Sequence, residues 1–189
     1  MKNTFGMGVV TLLLGVLLVA VIIGFISFGA THPAPWIFLA VALIVPFLLN
    51  RMENRHFVVW KDDYSVGIES IDNDHKKLLN LINKLQTAIH YHTGELFERQ
   101  ALDELVNYTK YHFSREEELM QKYGYPELEE HRAEHAKMIA KVGGFVEQYE
   151  QKQHGALEDV AEFLKNWLVN HINGTDKRYS AFLIEKGAK

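Results

Sequence analysis

The sequence predicts an all-α protein. An up-down-up-down four-helix bundle occupies residues 71–189, a two-helix transmembrane hairpin occupies 1–50, and a segment over 51–70 connects them and lies on the bundle. Three observations carry this. No Asp, Glu, Lys or Arg occurs from Asn3 to Asn50, so all 24 acidic and 20 basic residues of the 189-residue chain lie outside that stretch. Beyond it, apolar residues recur at three-and-four spacing in four successive stretches. Short connections with Gly or Pro separate these stretches, at His92-Thr93-Gly94, Gly124-Tyr125-Pro126 and around His154-Gly155.

The composition excludes several classes of function. A net charge of -4 with no basic block leaves no footprint for nucleic acid. The absence of Cys removes disulfides, thiolate metal sites and cysteine nucleophiles, and it fits a reducing compartment. Any metal site must therefore rest on carboxylates and on the 10 His.

The first apolar run, Met7 to Phe28, would span roughly 33 Å as a helix, which matches a bilayer. It is too long for the apolar part of a signal peptide and is expected to be retained. After a break at Thr31-His32-Pro33-Ala34-Pro35, Trp36 to Leu49 is apolar again over roughly 21 Å, with Pro46 inside and Trp36 suited to the interface. This second span is short, and it is expected to cross, with local thinning or with flanking residues drawn in, in preference to lying partly in the interface. Lys2 precedes the first span and Arg51, Arg55 and Lys61 follow the second, while the loop between carries no Lys or Arg. That pattern predicts a two-pass inner-membrane protein with its bundle on the cytoplasmic side.

In the connecting segment, Trp60, Tyr64, Val66 and Ile68 are spaced like anchors onto a domain. Asp72 is the expected N-cap of a helix whose stripe is His75, Leu78, Leu79, Ile82, Leu85 and Ile89, ending near His92-Thr93-Gly94. His90 and His92, at that end, are expected to meet the carbonyl dipole and not a metal. The second helix, about 96–122, brings His112 and Glu116 onto one face with Leu105, Val106, Thr109, Phe113, Leu119, Met120 and Tyr123. The third carries His131 and His135 among Leu128, Met138, Val142, Phe145 and Tyr149. His131-Arg132-Ala133-Glu134-His135 is not a zinc-protease motif, because those enzymes place the base directly after the first His.

The fourth helix presents Leu157, Val160, Leu164, Trp167, Leu168 and His171, followed by Asp176. Five residues are about 140° around a regular helix, so His171 and Asp176 share a site only if the helix loosens into π register or ends between them. Gly174 permits either. His154, Glu158 and Asp159 repeat these spacings at a helix start without an apolar stripe, and they are expected to be solvated.

Each helix of the bundle thus supplies at least one candidate ligand: His75, His112 with Glu116, His131 with His135, and His171 with Asp176. Buried polar groups need partners, and bundles of this kind build metal sites from facing side chains.

The stretches Ile71-Asp-Asn-Asp-His75, His112-Phe-Ser-Arg-Glu116-Glu117, His131-Arg-Ala-Glu-His135 and Trp167-Leu-Val-Asn-His171-Ile-Asn-Gly-Thr-Asp176 resemble the hemerythrins, in particular the bacterial form. The resemblance covers about 60–182 and fills all seven ligand positions of the family pattern. It implies a di-iron core with a bridging hydroxide or oxo group that binds dioxygen reversibly. It also implies that Glu116 and Asp176 bridge the irons, with His131, His135 and His171 grouped against His75 and His112. Two octahedral irons need about twelve positions, and these ligands with the bridge leave about one open. Phe113, Trp167, Leu168 and Tyr179 match the apolar or aromatic lining of the family's oxygen pocket.

Residues 1–50 lie outside the resemblance. The expected function is a membrane-anchored, non-enzymatic oxygen binder that stores dioxygen or delivers it to a membrane oxidase or oxygenase, with a homo-oligomer through the hairpin as a further possibility. An oxygen or redox sensor signalling through the hairpin is the alternative, although only 13 residues follow Asp176. A di-iron peroxidase or nitric-oxide-handling enzyme is another.

Overall fold

The computed structural model describes residues 2–53, 57–151 and 155–188, with side chains over 11–48, 57–151 and 155–188. The chain divides into two compact units, Met1–His56 and Phe57–Lys189.

The first unit is a helical hairpin of α1 (Lys2–Phe28) and α2 (Pro33–Glu53). Gly29 adopts φ +71° and ends α1. Pro33 opens α2, where a missing N–H costs nothing, so the break is shorter than the sequence suggested and Pro35 lies inside the first turn. His32 Nδ1 accepts the Ala34 N–H at 3.2 Å, and the Trp36 indole donates to Ala30 O at 2.8 Å. The helices approach closely at Gly24, where an added Cβ would lie 3.4 Å from Pro35, and Phe25 meets Trp36 edge to face. Residues 11–28 of α1 are long and apolar enough to cross a membrane; the apolar part of α2, Pro33–Leu48, is shorter. The side chains of Lys2 and Arg51, and all of Arg55, which carried the expected topology, lie outside the described residues.

The second unit begins with a strap. Val58 exchanges two hydrogen bonds with the Asn83 amide, at 2.8 and 2.6 Å, while Tyr64, Val66 and Ile68 are buried and Trp60 packs on the core. The strap runs into α3 (Glu69–His90), followed by α4 (Glu95–Tyr123), α5 (Leu128–Glu150), α6 (Ala156–His171) and, through a π turn over Ile172–Asp176, α7 (Lys177–Glu185). Helix α3 packs on α4 and α6, and α5 packs on the same two, which closes a four-membered bundle. Its core includes Ile71, Leu78, Leu85, Leu102, Leu105, Met120, Leu164 and Leu183.

Two expected boundaries shift. Asp72 is not the N-cap of α3, which starts at Glu69; its carboxylate accepts the Val66 N–H at 2.8 Å and the Ser65 hydroxyl, so it pins the strap to the helix. At the other end α3 stops at His90, His92 takes a left-handed φ of 47°, and Gly94 caps α4 instead of stopping α3. Glu158 and Asp159 are exposed in the first turn of α6, as expected; His154 lies outside the described residues.

Gly124 closes α4 at φ +70°, whereas Gly144 sits inside α5 with open space where a Cβ would go. The two should answer in opposite directions. Gly124→Ala is expected to destabilise the bundle by about 1 kcal/mol and Gly144→Ala to stabilise it by roughly 0.5–1 kcal/mol, read from thermal or urea unfolding.

Candidate metal centre

The bundle brings all seven candidate ligands together. His75 from α3, His112 and Glu116 from α4, and His131 and His135 from α5 reach inward from successive turns of amphipathic helices. His171 and Asp176 join them because the chain takes the π turn at Ile172–Asp176, which adds a residue to the turn and brings both onto the inner face. All seven are buried, with Glu116 and Asp176 at 0% exposure.

The atoms converge from two sides on the two carboxylates. His135 Nε2 lies 3.4 Å and His131 Nε2 3.8 Å from Glu116 Oε2, and His171 Nε2 stands 3.1 Å from Asp176 Oδ1. His135 and His171 aim their Nε2 atoms at one point, 3.2 Å apart. From the other side His75 Nε2 approaches Asp176 Oδ2 at 3.3 Å and Glu116 Oε1 at 3.8 Å, while His112 Nε2 lies 3.4 Å from Glu116 Oε2. Two metal-sized clusters result, Glu116 with His131, His135 and His171, and Glu116 with His75 and His112.

This donor set fits a metal pair on its own chemistry. Among the described residues, the buried side-chain atoms without a hydrogen-bond partner include both nitrogens of His75 and of His112, His131 Nε2, Glu116 Oε2 and both Asp176 oxygens. Buried polar groups left without hydrogen-bond partners destabilise a fold. Metal ions would supply the missing partners. Imidazole and carboxylate suit first-row metals such as iron.

The charges respond to this enclosure. Burial would lower the His75 pKa, but the Asp176 and Glu116 carboxylates facing it override that and raise the group to about 9. The His135 imidazole is likewise raised, by Glu116 and Glu117 against the burial penalty. Burial would raise the Glu116 and Asp176 carboxyls, yet the surrounding imidazoles hold Glu116 well below, and Asp176 below, the usual carboxylate range.

A ring of partners that sequence reasoning missed surrounds the ligands. Glu117 meets His135 Nδ1 at 2.9 Å and Arg132 at 3.4 Å. Glu134 stands 3.5 Å from His171 Nδ1 and accepts the Thr175 hydroxyl at 3.1 Å. Asp74 stands 3.6 Å from His112 Nδ1. Glu117, Glu134 and Asp74 each adjoin a candidate ligand in the sequence, and that adjacency was the available signal.

Of the four expected pocket residues, Phe113, Trp167 and Leu168 line a narrow apolar cavity beside the ligands, together with Leu78, Ile82, Leu105, Thr109, Met138 and Leu164. Phe113 stacks on His135 with ring centroids 3.5 Å apart, and Trp167 stacks on His171 at 4.1 Å. Tyr179 does not line this cavity. Its hydroxyl donates to Glu116 Oε1 at 2.5 Å, and its ring meets His131 edge to face, so it belongs to the polar side of the site. Burial and the nearby Glu116 and Asp176 charges push its pKa well above 10 and keep the hydroxyl a donor.

A four-helix bundle that encloses five imidazoles around two shared carboxylates defines a non-haem metal-binding bundle protein. The family described as "Hemerythrin HHE cation binding domain" matches residues 66–183. The bacteriohemerythrin of Stenotrophomonas maltophilia (strain R551-3) is 33% identical over 128 residues, covering 65% of this chain and 79% of that protein. That of Clostridium acetobutylicum is 32% identical over 126 residues, covering 64% of this chain and 97% of its own. A crystal structure of wild-type hemerythrin aligns with a TM-score of 0.60 at 32% identity, covering 67% of this chain and 97% of that one. The chain therefore belongs to the hemerythrin family, the oxygen-binding di-iron proteins: its cofactor is a pair of iron ions and its ligand is dioxygen.

Metal binding at this cluster would displace protons from it, and the sign follows from His75. Because its pKa is raised from 6.5 to about 9, its protonated form stabilises the metal-free fold fully below pH 6.5, and that contribution is lost as pH rises through 9. Iron affinity runs the other way, falling about tenfold per pH unit for each proton displaced as pH drops below 9. Iron binding titrated between pH 6 and 9 in weak buffer should show proton release and rising affinity, while the metal-free protein melts at falling temperature over the same range.

Proposed function

We propose that His75, His112, Glu116, His131, His135, His171 and Asp176 hold the two irons, and that the chain is a membrane-anchored oxygen store or carrier. The observation that carries the ligand assignment is the convergence of buried imidazole and carboxylate atoms, several of them without a hydrogen-bond partner, into two adjacent metal-sized clusters. In this assignment Glu116 and Asp176 are shared, His131, His135 and His171 serve one iron, and His75 and His112 the other. An iron pair held by these residues would supply the redox chemistry that binds dioxygen.

The protein's own groups do the rest. Glu116 is oriented by the Tyr179 hydroxyl, which keeps its proton and holds one carboxylate oxygen in place. Phe113, Trp167 and Leu168 wall the cavity with apolar surface. Such a wall keeps out the water that would assist loss of a charged, reduced oxygen species, and it favours release of neutral dioxygen. The imidazole-rich donor set supports reversible binding over turnover, because additional carboxylates would better stabilise higher oxidation states.

The hairpin supports the anchor. Its apolar side chains face outward, with Leu12 69% and Ile26 79% exposed, and an apolar surface of that extent requires a bilayer or a partner. We place both helices across the inner membrane and the bundle on the cytoplasmic side. Dioxygen prefers lipid to water, so a tethered bundle is well placed to take oxygen from the bilayer or pass it to a membrane oxidase or oxygenase. The hairpin is also the surface through which copies of the chain would associate.

Two measurements test this reading. Anaerobically reduced, iron-loaded protein exposed to oxygen should gain a visible charge-transfer band that disappears under vacuum and returns on the next cycle. A band that forms once and decays to an oxidised species would favour a sensor or an enzyme. In cell fractionation the full chain should stay with membranes through alkaline carbonate washing, and recovery in the soluble fraction would overturn the anchor.

A further inference from the structure

Three of the five imidazoles turn Nδ1 toward a carboxylate, and the three carboxylates differ. The side chains of Glu117, behind His135, and Glu134, behind His171, are 26% and 35% exposed, whereas Asp74, behind His112, is 5% exposed. A carboxylate so enclosed needs fixed donors. Two come from α4: the Tyr108 hydroxyl donates to Asp74 Oδ1 at 2.6 Å, and the Arg115 guanidinium donates to Oδ2 at 3.1 Å and Oδ1 at 3.2 Å. Tyr108, His112 and Arg115 follow one another at four and three residues and so share one face of α4. The Lys77 ammonium covers the Tyr108 ring at 4.1 Å, and Arg115 lies over the Tyr111 ring.

His112 is fully buried, and its Nδ1 has no hydrogen-bond acceptor within normal reach. Asp74 Oδ2, at 3.6 Å, is the carboxylate that faces it. Asp74 also adjoins His75, so neighbouring residues of α3 supply one imidazole to the centre and the carboxylate behind the next. The His75 and His112 rings meet edge to face with centroids 4.8 Å apart. In the ligand set proposed above, these two imidazoles would serve the iron with fewer protein ligands.

We propose that Asp74, fixed by Tyr108 and Arg115, is the positioning residue for His112: it takes the Nδ1–H, holds Nε2 toward Glu116, and governs retention of the iron on the His75–His112 side. The other iron, held by three imidazoles, does not depend on it. This inference rests on the seven-ligand reading, and the test separates the two.

The test uses the full chain in detergent, loaded with ferrous iron. Iron release to a chelator is followed by stoichiometry, and the two iron environments by Mössbauer spectroscopy, for wild type, Asp74→Asn and Tyr108→Phe. One iron of the pair should leave roughly 10–100-fold faster in Asp74→Asn, with one Mössbauer doublet altered and the other kept. Tyr108→Phe should accelerate the same iron by a smaller factor and leave release of the other iron at the wild-type rate. Wild-type release in both variants, or equal acceleration of both irons, overturns the proposal. Should Asp74→Asn fail to fold, Tyr108→Phe decides it by the same criteria. A wild-type chain that holds no iron pair overturns the seven-ligand reading itself.

Discussion

The constraint on which this bundle depends is the burial of two carboxylates, Glu116 and Asp176, at zero exposure between five imidazoles. Charges taken out of water require partners of good geometry, and breaking such a group by removing one partner is costly. Each helix of the bundle contributes to meeting that requirement. The amphipathic stripes place the imidazoles on the inner faces, the π turn swings Asp176 round beside His171, and Tyr179 satisfies one Glu116 oxygen. Metal ions would complete the set.

The same arrangement separates two environments a few ångströms apart. On one side Phe113 and Trp167 lie flat against His135 and His171 and border the apolar cavity. At their edges, Tyr179, Glu117, Glu134 and Asp74 face nitrogens or oxygens of the candidate ligands with polar groups. An oxygen-binding centre needs this division, because the ligand is apolar when it arrives and leaves while the metal-bound side chains must be held in one tautomer and orientation.

Much of this was legible in the sequence, for a physical reason. His112 and Glu116 are four apart, and His131 and His135 likewise, so a regular helix alone puts each pair on one face. His171 and Asp176 are five apart, and the sequence could only state the condition, a π turn or a helix end, that would unite them. Tyr179 shows where periodicity stops. Its spacing of three from Asp176 gives the shared face but not which side of the centre the ring reaches, and it reaches Glu116 from the polar side. The carboxylates behind the imidazoles were hidden for a similar reason, since Asp74 meets His112 across two helices and not along one. Asp72 looked like a helix cap because its chemistry suits one, yet the strap residues Ser65 and Val66 claim its oxygens.

The most direct test of the central claim is a crystal structure of the iron-loaded bundle with anomalous diffraction recorded at the iron edge. Two anomalous peaks are expected, one bounded by His131, His135 and His171 and the other by His75 and His112, both in contact with Glu116 and Asp176. A single peak, or peaks that leave either carboxylate outside the coordination sphere, would contradict the account.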